Sequence, residues 1–169
     1  CVHLFTFKSS KKNYRYRYII EAEVFDIEFI AIKFYQKNHK LSKKKYQTLT
    51  NANEVRNIVN SCLQVIPILL QIYPNHSFGA VGSRAISEDE KFESEKKNQR
   101  FVIYRAIMLK KFKEDKRFAF VESEDNSAFA IINLSKLVRI EDLEFYVVDK
   151  YNEILDCMVE IYNEIHYPE

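Results

Sequence analysis

The sequence predicts an α+β fold in which helices pack on a mostly antiparallel sheet. Residues 2–35 hold three runs of aromatic and β-branched residues separated by short polar turns, which is typical of strands. Residues 50–73 show the apolar periodicity of a long helix. Residues 117–123 and 127–133 flank a polar turn, which indicates a hairpin. The expected order of elements is βββ-α-β-α-ββ-α.

The second N-terminal strand, predicted over residues 14–23, has the strictest alternation in the chain. Tyr16 and Tyr18 fall on one face, and Arg15 and Arg17 fall on the other. Short turns between consecutive strands favour antiparallel pairing. Because the tyrosines and arginines point in opposite directions, the pattern favours a core face and a solvent face over a platform for stacking nucleic-acid bases.

The first predicted helix carries one continuous apolar stripe. Its members are Val55, Ile58, Val59, Cys62, Ile66, Leu69, Leu70 and Tyr73. Cys62 lies within the stripe, so we expect a core residue there and not a nucleophile. Pro67 lacks an amide hydrogen and clashes with the carbonyl of Leu63, which predicts a kink or a break.

The chain has only two glycines, Gly79 and Gly82, and they are three residues apart. A chain this poor in glycine is expected to place one only where backbone freedom or close approach is needed. Gly79 lies in a short predicted strand, where it indicates a bulge or a close neighbour. Gly82, Ser83 and Arg84 follow and predict a special turn.

The second predicted helix, residues 95–112, is apolar nearly all round and is expected to be buried, although it contains two arginines. Arg100 and Arg105 could extend to the surface or pair with carboxylates.

An anion site is the functional alternative. Arg84 and one of Arg100 or Arg105 would join Ser83 and the amides around Gly82, because guanidinium groups and backbone donors suit phosphate or carboxylate. The sequence contains no complete phosphate-loop motif.

The C-terminal region is expected to end in a helix from Asp149 to about His166, with Asp149 as its cap. Residues 137–148 are compatible with a strand or with a loop that contains short helical pieces.

Charge is unevenly distributed, although the net charge is only +2. Residues 1–50 carry eleven Lys and Arg against four acidic residues, whereas residues 137–169 carry two against nine. The two ends could attract each other or solvate separate faces. The alternative is a basic face for nucleic acid that includes Lys43, Lys44 and Lys45.

Several functional classes find little support in the composition. Three cysteines without CxxC or Cys/His ligand spacing predict neither a disulfide framework nor a metal site, and they favour a cytoplasmic protein. No apolar run approaches the roughly 20 residues that span a bilayer. We therefore expect no membrane span, no metal and no cofactor. The four histidines are scattered, so a catalytic site would have to assemble in space, for example from His76, Ser83, Arg84 and Arg105.

Four features follow one another along the chain: an N-terminal aromatic hairpin, a helix running into Tyr73-Pro74, a strand ending at Gly82-Ser83, and Arg100-Phe101-x-x-Tyr104 opening a helix. Together, over residues 2–135, they resemble small bacterial families, common in Bacteroidetes, that carry only domain-of-unknown-function labels. The resemblance implies no established activity, and such small proteins are often encoded near mobile elements or defence loci.

We expect one domain over residues 1–169 that acts as a non-enzymatic binding or interaction module of the antitoxin, immunity or defence type. Its expected partner is another protein or a second copy of the chain. The alternatives are a small enzyme or a nucleic-acid-binding protein that uses an anion site around Gly82, Ser83 and Arg84.

Overall fold

A computed structural model describes residues 1–9, 16–47, 54–83 and 99–167. One sheet contains six strands: β1 (Val2–Lys8), β2 (Arg17–Phe25), β3 (Phe29–Gln36), β4 (Ser77–Val81), β5 (Phe118–Ser123) and β6 (Ala128–Asn133). The helices are α1 (Val55–Ile72), α2 (Gln99–Phe112) and α3 (Leu143–His166). The predicted α+β class and the order of elements are confirmed.

Strand pairing is mostly antiparallel. The sheet order is β1-β2-β3-β4-β6-β5, with an antiparallel β1-β2-β3 meander at one edge and the β5-β6 hairpin at the other. The exception is β3 with β4, which run parallel and are joined by α1. Adjacent parallel strands need such a long crossover, so the first helix is what permits this contact.

Helices cover both faces of the sheet and create two cores. On one face α1 and α2 pack against Tyr18, Ile20, Phe78 and other sheet residues that point to the same side. On the other face α3 packs against residues that include Phe29. All six residues of β6 are buried, because this strand lies in the interior of the sheet between two helical layers.

The apolar stripe of α1 is confirmed as core. Ile66 is 1% exposed, and Cys62 is buried in the same cluster. Pro67 does not break the helix, which runs on to Ile72 with the proline on its exposed side. Within the described part of the chain, α1 alone has the length and apolarity of a membrane-spanning helix, with a mean hydropathy of 1.3 over 18 residues. Of that window 39% is buried, on the side that packs against the sheet.

Two helix predictions need correction. The second helix is buried on one stripe only: Phe101, Tyr104 and Met108 are buried, whereas Val102 is 44% exposed, because only one side of α2 meets the rest of the fold. The last helix does not start at Asp149.

Helix α3 begins at Leu143, six residues before the predicted start at Asp149. A 3₁₀ turn over Ile140–Asp142 precedes it. Tyr146 and Val147 pack on the second core, which gives this stretch a reason to be helical that its own sequence pattern did not show. Asp149 therefore lies inside the helix and is not its cap.

Close approach explains Gly79. A Cβ atom at this position would lie 2.8 Å from two ring carbons of Phe29 and 3.0 Å from the carbonyl oxygen of Phe129. The predicted close neighbour is confirmed. Neither Gly79 nor Gly82 has a positive φ, so backbone freedom is not what either position uses.

We predict that Ile66→Asp prevents folding, whereas Ile68→Asp on the same helix does not. Ile66 is 1% exposed and Ile68 is 48% exposed, so only the first substitution buries a carboxylate without a partner. That costs several kcal/mol, comparable with a total stability of about 5 to 15 kcal/mol. Circular dichroism and thermal melting measure both effects, and a native-like Ile66→Asp protein would contradict the assignment of the core.

Candidate functional site

A cleft opens where β3 and β4 diverge. Their pairing covers three residue pairs and ends with Ala31 opposite Gly79. Beyond that point β3 continues to Gln36 and β4 to Val81 without further pairing between them. The cleft therefore lies at the carboxyl ends of two parallel strands, where open sheets with parallel strands commonly bind ligands.

Apolar side chains line most of this cleft. Helix α1 contributes Val59, Cys62, Leu63 and Ile66, helix α2 contributes Tyr104 and Met108, and the strands contribute Ile32, Phe34, Phe78 and Phe129. The cavity volume is about 50 Å³. Polar atoms come from Lys33, Tyr46, Ser83 and Arg100. An apolar cavity with a few convergent polar groups is the usual form of a small-molecule site.

The polar end of the cleft is built around Arg100. Its Nη1 donates to the Tyr46 carbonyl at 2.5 Å and to the Ser83 hydroxyl, and its Nη2 donates to the Gln47 carbonyl at 3.3 Å. The Ser83 hydroxyl donates to the same Tyr46 carbonyl at 2.7 Å. We call Arg100, Ser83 and the carbonyls of Tyr46 and Gln47 the arginine clasp. It joins the start of α2, the end of β4 and the loop after β3.

Gln47 extends this connection to the other face of the sheet. Its side chain is 2% exposed, and its Nε2 donates to the Ile165 carbonyl near the end of α3 at 2.8 Å. The loop after β3 is thereby held by α2, β4 and α3 together. Ile165 also lines the cleft.

The predicted anion site is assembled only in part. The structure brings Ser83 and Arg100 together, as the hypothesis requires. The backbone amide of Gly82 donates to the Ser127 carbonyl at 2.8 Å, so it is engaged within the fold. Arg84 lies outside the described residues.

Arg105 faces a different neighbour. Its guanidinium forms a two-pronged ion pair with Glu122 of β5, in which Nη2 lies 2.9 Å from Oε1. It is not among the cleft residues. The anion site stays a prediction, in which Arg100 and Ser83 lie together but bond to groups of the protein itself.

A second polar cluster, which sequence reasoning missed, surrounds Glu21 of β2. The hydroxyls of Tyr46 and Tyr35 donate to its carboxylate, the latter at 2.9 Å, and the Lys45 ammonium lies 3.3 Å from it. The same ammonium lies 4.4 Å from the ring centroid of Tyr35 and 4.7 Å from that of Tyr46. We call Glu21, Tyr35, Lys45 and Tyr46 the Glu21 cluster. The one sequence feature that could have indicated this cluster is an acidic residue within a largely apolar strand.

Electrostatics in the Glu21 cluster follow from these contacts. Burial alone would raise the pKa of Glu21, but hydrogen bonds from Tyr46, Tyr35 and Lys45 favour the carboxylate and leave its pKa below the ordinary value of 4.5. Burial and the neighbouring carboxylate raise the pKa of Tyr35 to about 12 and raise the pKa of Tyr46 as well. Both hydroxyls therefore remain protonated donors.

The three lysines proposed for nucleic acid do not share one environment. Lys43 and Lys44 are exposed, whereas Lys45 lies in the Glu21 cluster with its side chain 23% exposed. A nucleic-acid role for this loop stays a prediction.

The residues named for a possible catalytic site are not collected in one place. His76 precedes β4 and Ser83 follows it, so the strand separates them by about 17 Å at roughly 3.3 Å per residue. Arg105 is paired with Glu122 elsewhere. Among the described residues, no group of three His, Cys, Asp or Glu side chains could hold a metal ion.

Comparison with known proteins found no family model, no curated protein and no solved structure that matches this chain. The resemblance to bacterial families of unknown function stays an expectation.

We predict that Arg100→Met lowers the free energy of unfolding by about 2 to 3 kcal/mol, because it leaves the Tyr46 and Gln47 carbonyls without their charged donor. Arg105→Met is the matched control. It removes a partly exposed ion pair with Glu122 and should cost no more than about 1 kcal/mol. Urea unfolding compares the two, and equal losses would show that the arginine clasp is not structural.

We predict that Glu21 contributes stability at neutral pH that is lost in acid. A lowered folded-state pKa means that the contribution is fully present above the ordinary value of 4.5 and disappears as pH falls through the folded-state pKa. The difference in unfolding free energy between wild type and Glu21→Gln should therefore shrink on acidification. Tyr46→Phe, which removes one donor, should show a smaller pH dependence than wild type. A difference that grows in acid would contradict this account.

Proposed function

We propose that this chain is a binding module that holds a small molecule in the cleft between β3 and β4. The observation that carries the proposal is the divergence of these adjacent parallel strands, beneath apolar side chains of α1 and α2. Divergence leaves the facing edges of the two strands unpaired with each other beyond Ala31 and Gly79. A ligand with amide-like groups can hydrogen-bond to those backbone edges while its apolar part displaces water.

The lining indicates the chemistry of the ligand. Ile66, Met108 and Phe129 favour an apolar body such as an acyl chain. Arg100 and Ser83 at the polar end already bond to each other and to the Tyr46 carbonyl, so a head group there would meet chiefly the positive charge of Arg100, which favours a carboxylate, a phosphate or a carbonyl oxygen. The cavity of about 50 Å³ is far smaller than the several hundred Å³ of most ligand sites, so the ligand class is a short apolar chain with an oxygen-bearing head group.

Binding is favoured over covalent catalysis by the state of the cysteine in the cleft. Complete burial raises the pKa of the Cys62 thiol to about 12, so almost no thiolate forms near neutral pH. The thiolate is the nucleophilic form. Cys62 is consistent with a wall of the cleft and not with an attacking group.

The test compares butyrate, butyramide and butanol, which share a short apolar body and differ in head group. We expect butyrate and butyramide to raise the melting temperature more than butanol does. A ligand at a hundred times its dissociation constant stabilises by about 2.7 kcal/mol. Calorimetric titration measures the affinity directly.

Ala80→Phe is the decisive variant, because Ala80 lines the cleft and a larger side chain fills it without removing a hydrogen-bonding group. Ala119→Phe makes the same chemical change on β5, outside the cleft, and serves as the control. Binding should be lost in the first variant and kept in the second. No binding by any of the three compounds, or equal binding by both folded variants, would overturn the proposal.

A further inference from the structure

Helix α3 carries an apolar stripe on the side that faces away from the sheet. Phe145, Val148, Leu155 and Val159 recur at helical spacing, and we call them the outer stripe. Phe145 is 77% exposed and Val148 is 53% exposed. The inward side of α3, which includes Ile154 and Met158, is already buried in the second core, so the outer stripe is additional to what the fold requires.

The apolar surface extends beyond the start of α3. Val138 is 92% exposed and Ile140 is 72% exposed in the segment that leads into the helix. Single exposed apolar residues are common, but a run of them along one helix and its approach is typical of an interaction surface.

Acidic residues border the outer stripe along one side. Asp149, Glu153, Asp156 and Glu160 follow one another at intervals of three and four residues, which places them on one side of the helix, and we call them the acidic ridge. Lys150 offsets part of this charge, since its ammonium lies 2.6 Å from Glu153. The ridge keeps a net negative charge beside the apolar surface.

The opposite border of the outer stripe faces the edge of the sheet. Tyr151 of α3 packs against the second core together with Ala119 and Val121 of β5, and β5 is an edge strand. An element that lay along the outer stripe would therefore have the sheet edge on one side and the acidic ridge on the other.

We propose that the outer stripe and the acidic ridge form a docking surface for a basic amphipathic helix of another protein. The intervals of three, seven and four positions keep these apolar residues on one side of α3, which matches the way helices pack side by side. The acidic ridge selects a partner with Lys or Arg beside its apolar face. A second copy packed antiparallel through a twofold axis would bring two acidic ridges together, and an anionic lipid surface would repel them.

The experiment uses the full chain and two synthetic helical peptides with the same leucine pattern, one flanked by lysine and one by glutamate. Fluorescence anisotropy should show binding of the lysine peptide that weakens with added salt, and at least tenfold weaker binding of the glutamate peptide. Val148→Asp combined with Val159→Asp should reduce binding of the lysine peptide at least tenfold. Ile68→Asp combined with Ile72→Asp, which changes exposed apolar residues on α1, should leave binding unchanged.

A charge exchange on the acidic ridge tests the same surface without placing aspartate on the outer stripe, in case the double aspartate variant folds poorly. Asp149→Lys combined with Asp156→Lys should shift the preference from the lysine peptide to the glutamate peptide. Equal binding of both peptides by wild type, or an unchanged preference in the charge-exchanged protein, would overturn the proposal. Sedimentation showing a wild-type dimer that the Val148 and Val159 substitutions dissociate would also overturn it, since the occupant would then be a second copy.

Discussion

Phe29 and Gly79 lie side by side where β3 meets β4, and the phenylalanine ring occupies the space that a side chain at position 79 would need. The absence of a side chain at Gly79 leaves room for this ring where the two parallel strands pair. Parallel neighbours require a long connection, so α1 must cross the sheet between them and bury its apolar stripe on the way. The strands separate only two residues after Phe29, and that divergence creates the cleft.

The polar end of the cleft is held together by hydrogen bonds between buried polar groups. The carbonyls of Tyr46 and Gln47 would be poorly solvated against α2 and β4 without Arg100 and Ser83. On its other side, the Tyr46 hydroxyl belongs to the Glu21 cluster. One loop residue thus takes part in two hydrogen-bond networks, and this couples the end of β3 to both the helical layer and the sheet.

In the part of the chain that the structure describes, an ion pair between Lys33 and Glu164, at 3.7 Å, joins the basic N-terminal region to the acidic C-terminal region. The outer side of α3 instead keeps its acidic residues beside exposed apolar side chains. The cleft and this helix face are two distinct surfaces, for which we propose a small molecule and a protein helix, respectively.

Local pattern was sufficient for much of the fold. The alternation around Tyr16 and Tyr18 and the stripe of α1 predicted strand, helix and core, because burial repeats with the period of each element. A single acidic residue within a largely apolar strand, such as Glu21, did not indicate which residues would contact it. The cleft could not be predicted in this way, because its walls depend on which strands become neighbours.

The sequence by itself determined the α+β class, the order of the elements and the core stripe of α1, since each is encoded by residues close together in the chain. Tertiary structure alone decided the parallel contact of β3 with β4, the early start of α3 and the arginine clasp. Arg100 meets the Tyr46 carbonyl across 54 positions of sequence, and Gln47 meets Ile165 across 118. Such contacts form only after the sheet order has brought distant segments together, so no local period records them.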